Sequence, residues 1–121
     1  MIVLAKEDVL NALKKFKRLA KQDLLASSLT NEPEFWSAQA EGRRNTYTWL
    51  MELVEEHGVD YAYQAAKEKY ADLPFLVPEN KDDPDIIGTK QALEMLFGIL
   101  GVGPDSEMDD NEDKAMGAQT V

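Results

Sequence analysis

Apolar residues recur along this chain at helical spacing, in four blocks separated by polar or proline-containing breaks. In the first block Val9, Leu13, Phe16, Ala20 and Leu24 fall three and four residues apart, and Leu10 and Leu25 widen the stripe. This predicts an amphipathic helix over residues 6–26. Leu4 and Val9 stand where a hydrophobic staple would, and Asp8 where a capping-box acid would, but the cap position is Ala5, which has no side-chain oxygen. Met1–Leu4 reads either as the entry to this helix or as a short extended arm on the core.

Ser27, Ser28, Thr30 and Asn31 then break the pattern. Asn31 and Glu34 have capping-box spacing with Pro33 in the first turn, so a second helix is expected from there to Gly58, a left-handed stop. It carries two stripes: Trp36, Ala40, Tyr47, Leu50 and Val54, and then Phe35, Ala38, Gly42, Trp49 and Leu53. One residue of a helix turns by roughly 100°, so the two stripes together make a face broad enough for two neighbours. Gly42 is unfavourable by ~1 kcal/mol relative to Ala inside a helix. It therefore predicts a closely crossing helix or a bend.

Val59, Ala62, Tyr63, Ala66 and Tyr70 predict a third helix, turned sharply from the second because almost nothing joins them. Leu73–Pro78 is apolar but bracketed by prolines, which suggests an extended strap over the core, followed by a polar loop. Asp83 then has the place of a cap with Pro84 at the first helical position, opening a fourth helix with Ile86, Leu93, Leu96, Phe97 and Leu100 on one face. Gly98, Gly101 and Gly103 before Pro104 end it. The expectation is an all-α compact bundle of about four helices over residues 1–103, with the apolar strap, and a disordered acidic C-terminal tail over 104–121.

Charge changes this picture in two places. The chain has 23 acidic and 13 basic residues, for a net charge of −10. Six of the acids stand in residues 104–121 against Lys114 alone, so the tail holds half of the excess. It reads as a solubilising terminus or as an interaction tail. An EF-hand is excluded there, because counting from Asp105 the sixth position is Asp110 instead of Gly and the twelfth is Met116 instead of Glu. Conversely, Lys14, Lys15, Lys17, Arg18 and Lys21 crowd one part of the first helix, with Arg43 and Arg44 able to extend them if the first two helices pack side by side. Such a row suits phosphates, and it equally suits a solvated face whose lysine stems cover the core.

Catalytic chemistry finds little to build on. There is no cysteine, which removes disulfides, thiol nucleophiles and thiolate metal sites. His57, next to a helix-ending glycine, is expected to complement the helix dipole and not to ligate a metal or act as a base. The glycines near residue 100 follow a helix instead of preceding one, the wrong end for a phosphate loop. No enzyme, cofactor or metal is expected. The longest apolar run, Met95–Val102, is too short to span a bilayer, and MIVLAKED has no basic flank before its apolar residues, so a cytoplasmic protein is the expectation.

Seven aromatic residues lie between positions 35 and 70, and Phe35, Trp36, Trp49 and Tyr61 are the candidates to remain available to a partner. EPEFW, followed by RRNTYTWLMELVEEHGVDYAYQAAKEKY, resembles in style the small uncharacterised helical accessory proteins of bacteriophages and prophages, over about residues 31–71. The resemblance transfers no functional residue; it implies a cytoplasmic accessory protein that binds a host or viral component. The functional expectation is a non-catalytic interaction or regulatory protein that binds a protein partner, or self-associates, through the aromatic helical face. The alternative is nucleic-acid binding through Lys14, Lys15, Lys17, Arg18, Lys21, Arg43 and Arg44, with the acidic tail as an internal competitor. Neither a membrane nor a small-molecule substrate is expected.

Overall fold

The second helix is the element on which the others rest. In the computed structural model, which describes residues 4–73 and 83–103, the order is α1 (Lys6–Ala26), α2 (Pro33–His57), α3 (Val59–Asp72) and α4 (Pro84–Leu100), with a 3-10 turn at Ser27–Leu29. The expected strap beyond Leu73, the acidic tail and Met1–Val3 lie outside the described residues. The fold class is all-α, and the core is one cluster that includes Val9, Leu13, Leu50, Val54, Tyr63 and Leu96.

α1 runs antiparallel to α2. Lys6 Nζ donates to the Glu55 carbonyl at 3.1 Å, the Phe16 ring lies 5.8 Å from that of Tyr47, and Arg43 pairs with Asp23, so the register descends along α2 as it climbs along α1. Ala5 is indeed the cap residue and makes no side-chain bond, while Val9 and Leu13 are fully buried. Leu25 does not widen the buried stripe. Leu10 does widen it, packing partly buried on the core, whereas Leu25 is exposed at the end of α1 where the chain enters the 3-10 turn. That turn is secured by two hydroxyls: Ser27 Oγ donates to the Leu24 carbonyl and Thr30 Oγ1 to the Ser27 carbonyl, each at 2.7 Å.

The Asn31–Glu34 capping box does not form. α2 begins at Pro33 with Glu32 at the cap position, and no side chain bonds the first turn. Proline itself is the start signal, since its fixed φ suits the first helical position and its missing N–H is not needed there. Gly58 ends α2, but in a different conformation from the left-handed one expected: with φ 95° and ψ 171° it is extended at positive φ, a region essentially confined to glycine. This reversal lets α3 start at the next residue.

α4 crosses α2 backbone to backbone. A Cβ on Gly88 would lie 2.2 Å from the Gln39 carbonyl oxygen, and one on Gly42 would lie 2.8 Å from that of Asp85. Of the two outcomes that Gly42 predicts, the crossing helix is the one realised. At the same place Gln39 Nε2 donates to Gln91 Oε1 at 2.9 Å. α3 and α4 meet through edge-on rings, Tyr63 and Tyr70 each against Phe97. The Tyr63 hydroxyl also donates to the Gly103 carbonyl at 2.9 Å, which ties down the chain leaving α4.

The ends of α4 follow the sequence closely. The Asp83 carboxylate accepts from the Asp85 and Ile86 amides at 3.0 and 3.4 Å. Gly101, at φ 72° and ψ 23°, closes the other end, with its N–H donating to Gly98 and that of Val102 to Phe97. Gly98 does not end the helix; it lies inside it. Replacing Asp83 with Ala is expected to lower stability by about 1 kcal/mol and Asp83→Asn by less, since asparagine keeps a capping oxygen. Urea unfolding midpoints of the two variants check this.

Candidate protein-docking groove

α1 and α4 lie on neighbouring sides of α2, and the space between them is an open groove. Its floor is a single row on α2, Gln39, Arg43 and Tyr47, four residues apart and therefore stacked along one line of the helix. One stretch, about 360 Å³, runs between Asp23 and Ala26 on α1 and Gln91 on α4, and ends against Trp36 and Thr30. The other, about 320 Å³, runs between Phe16 and Leu19 on α1 and Glu94 and Met95 on α4. Arg43 and Gln91 line both stretches, which therefore adjoin along the groove with these two side chains between them. Leu19, Met95 and Trp36 are large apolar side chains left exposed along it.

Hydrogen bonding in the groove is unbalanced. The Arg43 side chain is 17% exposed and its Nη2 donates at 2.6 Å to Asp23, which is 61% exposed on the rim. Its Nε–H is buried without an acceptor. The Tyr47 hydroxyl has no protein partner among the described residues but is not buried without one: although the residue is 2% exposed, the hydroxyl oxygen itself opens to water in the groove. The acids, by contrast, are engaged: Glu94 takes a 3.0 Å ion pair from Lys90 and a hydrogen bond from the Tyr70 hydroxyl.

Burial raises the Tyr47 pKa above its ordinary 10.0, with the Arg43 charge pulling weakly the other way. Below the ordinary value the phenol is neutral folded or unfolded, and Tyr47 adds no pH dependence. As pH climbs past it the unfolded phenol ionises first, so stability falls until the folded pKa is passed. Tyr47→Phe is expected to remove this part of the alkaline loss, at most about 1.4 kcal/mol per pH unit. Guanidine unfolding of both proteins at a series of pH values from neutral to strongly alkaline checks it.

The four aromatic residues expected to form one partner face are not brought together. Phe35 and Trp36 pack edge to face at the start of α2, with centroids 5.1 Å apart, and Trp36 is 41% exposed at the end of the groove. Trp49 packs against the core with Lys69 Nζ 5.8 Å above its ring. Tyr61 is 52% exposed but lies at the far end of α2, stacked 4.4 Å from His57. Helical rise separates Trp36 from that end by roughly 30 Å. The second stripe of α2 is in fact the seat of α4, through Gly42, with Trp49 and Leu53 against the core.

The basic row is placed differently from its expected extension. Lys14, Lys15, Arg18 and Lys21 are exposed on α1, and Lys17 is half-buried near Glu52, Glu55 and Glu56. Among the described residues none of the five forms an ion pair. Arg43 and Arg44 do not continue the row, because α1 packs on α2 by its opposite face; Arg43 faces the groove and Arg44 pairs with Glu41 at 3.5 Å. His57 is exposed beside Glu56, at 3.9 Å. Among the described residues no group of three or more histidine and acidic side chains could hold a metal ion, and no helix is long and apolar enough to cross a membrane.

Leu19, Asp23, Gln91 and Met95, which shape the groove walls, were not singled out by periodicity. The signal was present for two of them: Leu19 and Met95 are large apolar residues off the buried stripes of their helices. Comparison of the chain with protein-family models, with curated proteins and with solved structures finds no match.

Proposed function

We propose that this protein is a non-catalytic interaction module, acting in the cytoplasm, whose groove between α1 and α4 receives a helical segment of a protein partner. The observation that carries this reading is the groove itself: two adjoining hollows floored by one row of α2, with Leu19 and Met95 exposed at one and Trp36 at the other. Large apolar side chains gathered along a concave surface mark interaction sites more often than side chains scattered singly. An amphipathic helix would lie over α2 with α1 and α4 as walls and cover all three. In this reading Trp36 contacts the partner, with Phe35 behind it, while Trp49 and Tyr61 lie away from the groove.

The test is a pair of charge substitutions, Leu19→Glu and Met95→Glu, both at exposed positions. Binding of a protein captured by the native chain from a nuclease-treated lysate should fall at least tenfold for each variant, with helicity unchanged by circular dichroism. Equal capture by native and variant proteins would remove the reading. Light scattering separates capture from self-association, which the same substitutions would also abolish.

A second reading, nucleic-acid binding along α1, is favoured by the five cations, none of which forms an ion pair among the described residues. It requires that removing residues 104–121 raise affinity for DNA or RNA at low salt and that Lys14→Glu with Arg18→Glu abolish it.

A further inference from the structure

We infer that the outer face of α1 is a docking surface for this chain's own residues 105–121, whose acids pair with the row from Lys14 to Lys21 and whose later apolar residues cover Leu25 and Leu29. The inference concerns the side of α1 turned away from the groove and does not rest on the groove reading.

Lys14, Arg18, Lys21 and Leu25 follow one another at spacings of four, three and four residues, so they form one line along α1. All four are exposed, Leu25 by 70%, and Leu29 in the turn just beyond is 87% exposed. These two leucines are the most exposed large apolar side chains among the described residues. The three cations make no ion pair among the described residues. The surface therefore has two parts in a fixed order, cationic along the helix and apolar at its end.

Residues 105–121 carry the complementary order. Six acids lie within residues 105–113, and Met116, Ala118 and Val121 come after them, with Lys114 the one cation. Direction matches as well. The Tyr63 hydroxyl holds the Gly103 carbonyl at the end of the bundle where α2 passes into α3, and α1 begins at that same end, with Lys6 on the Glu55 carbonyl. A chain that leaves Gly103 and follows α1 from its start meets the cations with its acids and the leucines with the residues after them. Lys14 to Leu25 spans roughly 17 Å of helical rise, whereas nine extended residues reach about 30 Å, so length sets no obstacle.

The acids of the bundle leave this line open. Glu7 and Asp8 stand ahead of it in the first turn of α1, Asp23 is turned to Arg43, and Glu52, Glu55 and Glu56 gather beside Lys17, round the helix from it. One exposed ion pair is weak. Tethering compensates: a short flexible connection gives an effective concentration on the order of 1 mM, so a dissociation constant of about 1 mM for the free segment suffices for half occupancy.

Because the chain has no cysteine, Ala118→Cys allows one nitroxide to be attached to the intact protein. Backbone amide signals of the isotope-labelled protein are compared with the nitroxide active and reduced. The expected result is that Lys21, Leu25 and Leu29 lose most of their intensity while Tyr61, at the opposite end of the bundle, keeps its own. The loss should recede in about 1 M salt, where the screening length is about 3 Å. Lys14→Glu with Lys21→Glu, both at exposed positions, should abolish it with helicity unchanged by circular dichroism. No loss on α1, a loss centred on Leu19 and Met95, or a loss that survives the charge reversal overturns the inference. Mixing spin-labelled, isotope-free chain with isotope-labelled chain that lacks the nitroxide tests the tether: an equal loss in the mixture assigns the contact to a second copy and overturns the intramolecular docking.

Discussion

Gly88→Ala is expected to destabilise the protein by at least about 2 kcal/mol, even though alanine is the better helix former by ~1 kcal/mol. The new methyl carbon would stand 2.2 Å from the Gln39 carbonyl oxygen and 3.1 Å from the Arg43 amide nitrogen, both backbone atoms of α2 that no rotamer change can move. Relief requires α4 to lift from α2, which loosens the core in which α4 buries Leu93 and Leu96. Gly98→Ala is the control within the same helix: nothing lies within 4 Å of its Cβ position, so only the propensity gain operates, and stability should rise by up to ~1 kcal/mol. Denaturant midpoints of the two variants should move in opposite directions. A Gly88→Ala variant as stable as the native chain would mean that the helices are not in backbone contact.

Tyr63→Ala is expected to cost about 3–5 kcal/mol, in the range for emptying an aromatic site in a core. Tyr63 is fully buried, lies edge-on to Phe97 with ring centroids 6.0 Å apart, and bonds the chain just past α4 through its hydroxyl. Its removal leaves a cavity between α3 and α4 and frees the Gly103 carbonyl. Tyr63→Phe keeps the ring and loses only the hydrogen bond, so about 1 kcal/mol is expected. The gap between the two variants in thermal or urea unfolding separates packing from tethering; near-equal losses would show that the hydroxyl, not the ring, matters most.

The helices were legible because each has a signal that acts locally. Val9, Leu13 and Ala20 mark a buried face by spacing alone, and Asp83–Pro84 writes both the cap and the first turn of α4 in adjacent residues. Gly42 carried one piece of tertiary information, since a glycine inside a helix is unfavourable unless something approaches closely, and its partner Asp85 lies on the crossing helix. Where local signals competed, the sequence misled: Asn31 and Glu34 have the spacing of a capping box, yet proline at residue 33 sets the start without them.

The site was far less legible, for a geometric reason. A groove belongs to the angle between two helices and not to either one, so its residues come from three separate stretches, and the aromatic density that drew attention in α2 and α3 is mostly core. Tyr47 and Trp49 sit two residues apart and face different neighbours, the first towards α1, the second towards Lys69 on α3. Arg43 was read with Arg44 as part of a basic patch, although adjacent residues on a helix point about 100° apart and only one of them can face the groove.

The seating of α4 by paired glycines has a thermodynamic corollary. One wall of the groove exists only while α4 rests on α2, so a ligand touching both walls binds the seated form and not a form with α4 lifted. Binding and seating are then linked: ligand present at a hundred times its dissociation constant would add about 2.7 kcal/mol to the free energy of opening α4. Amide hydrogens of α4 would exchange correspondingly more slowly, while those of α1 that open independently would be unchanged. Occupancy of the groove would be recorded in the exchange rates of a helix that supplies only one of its walls.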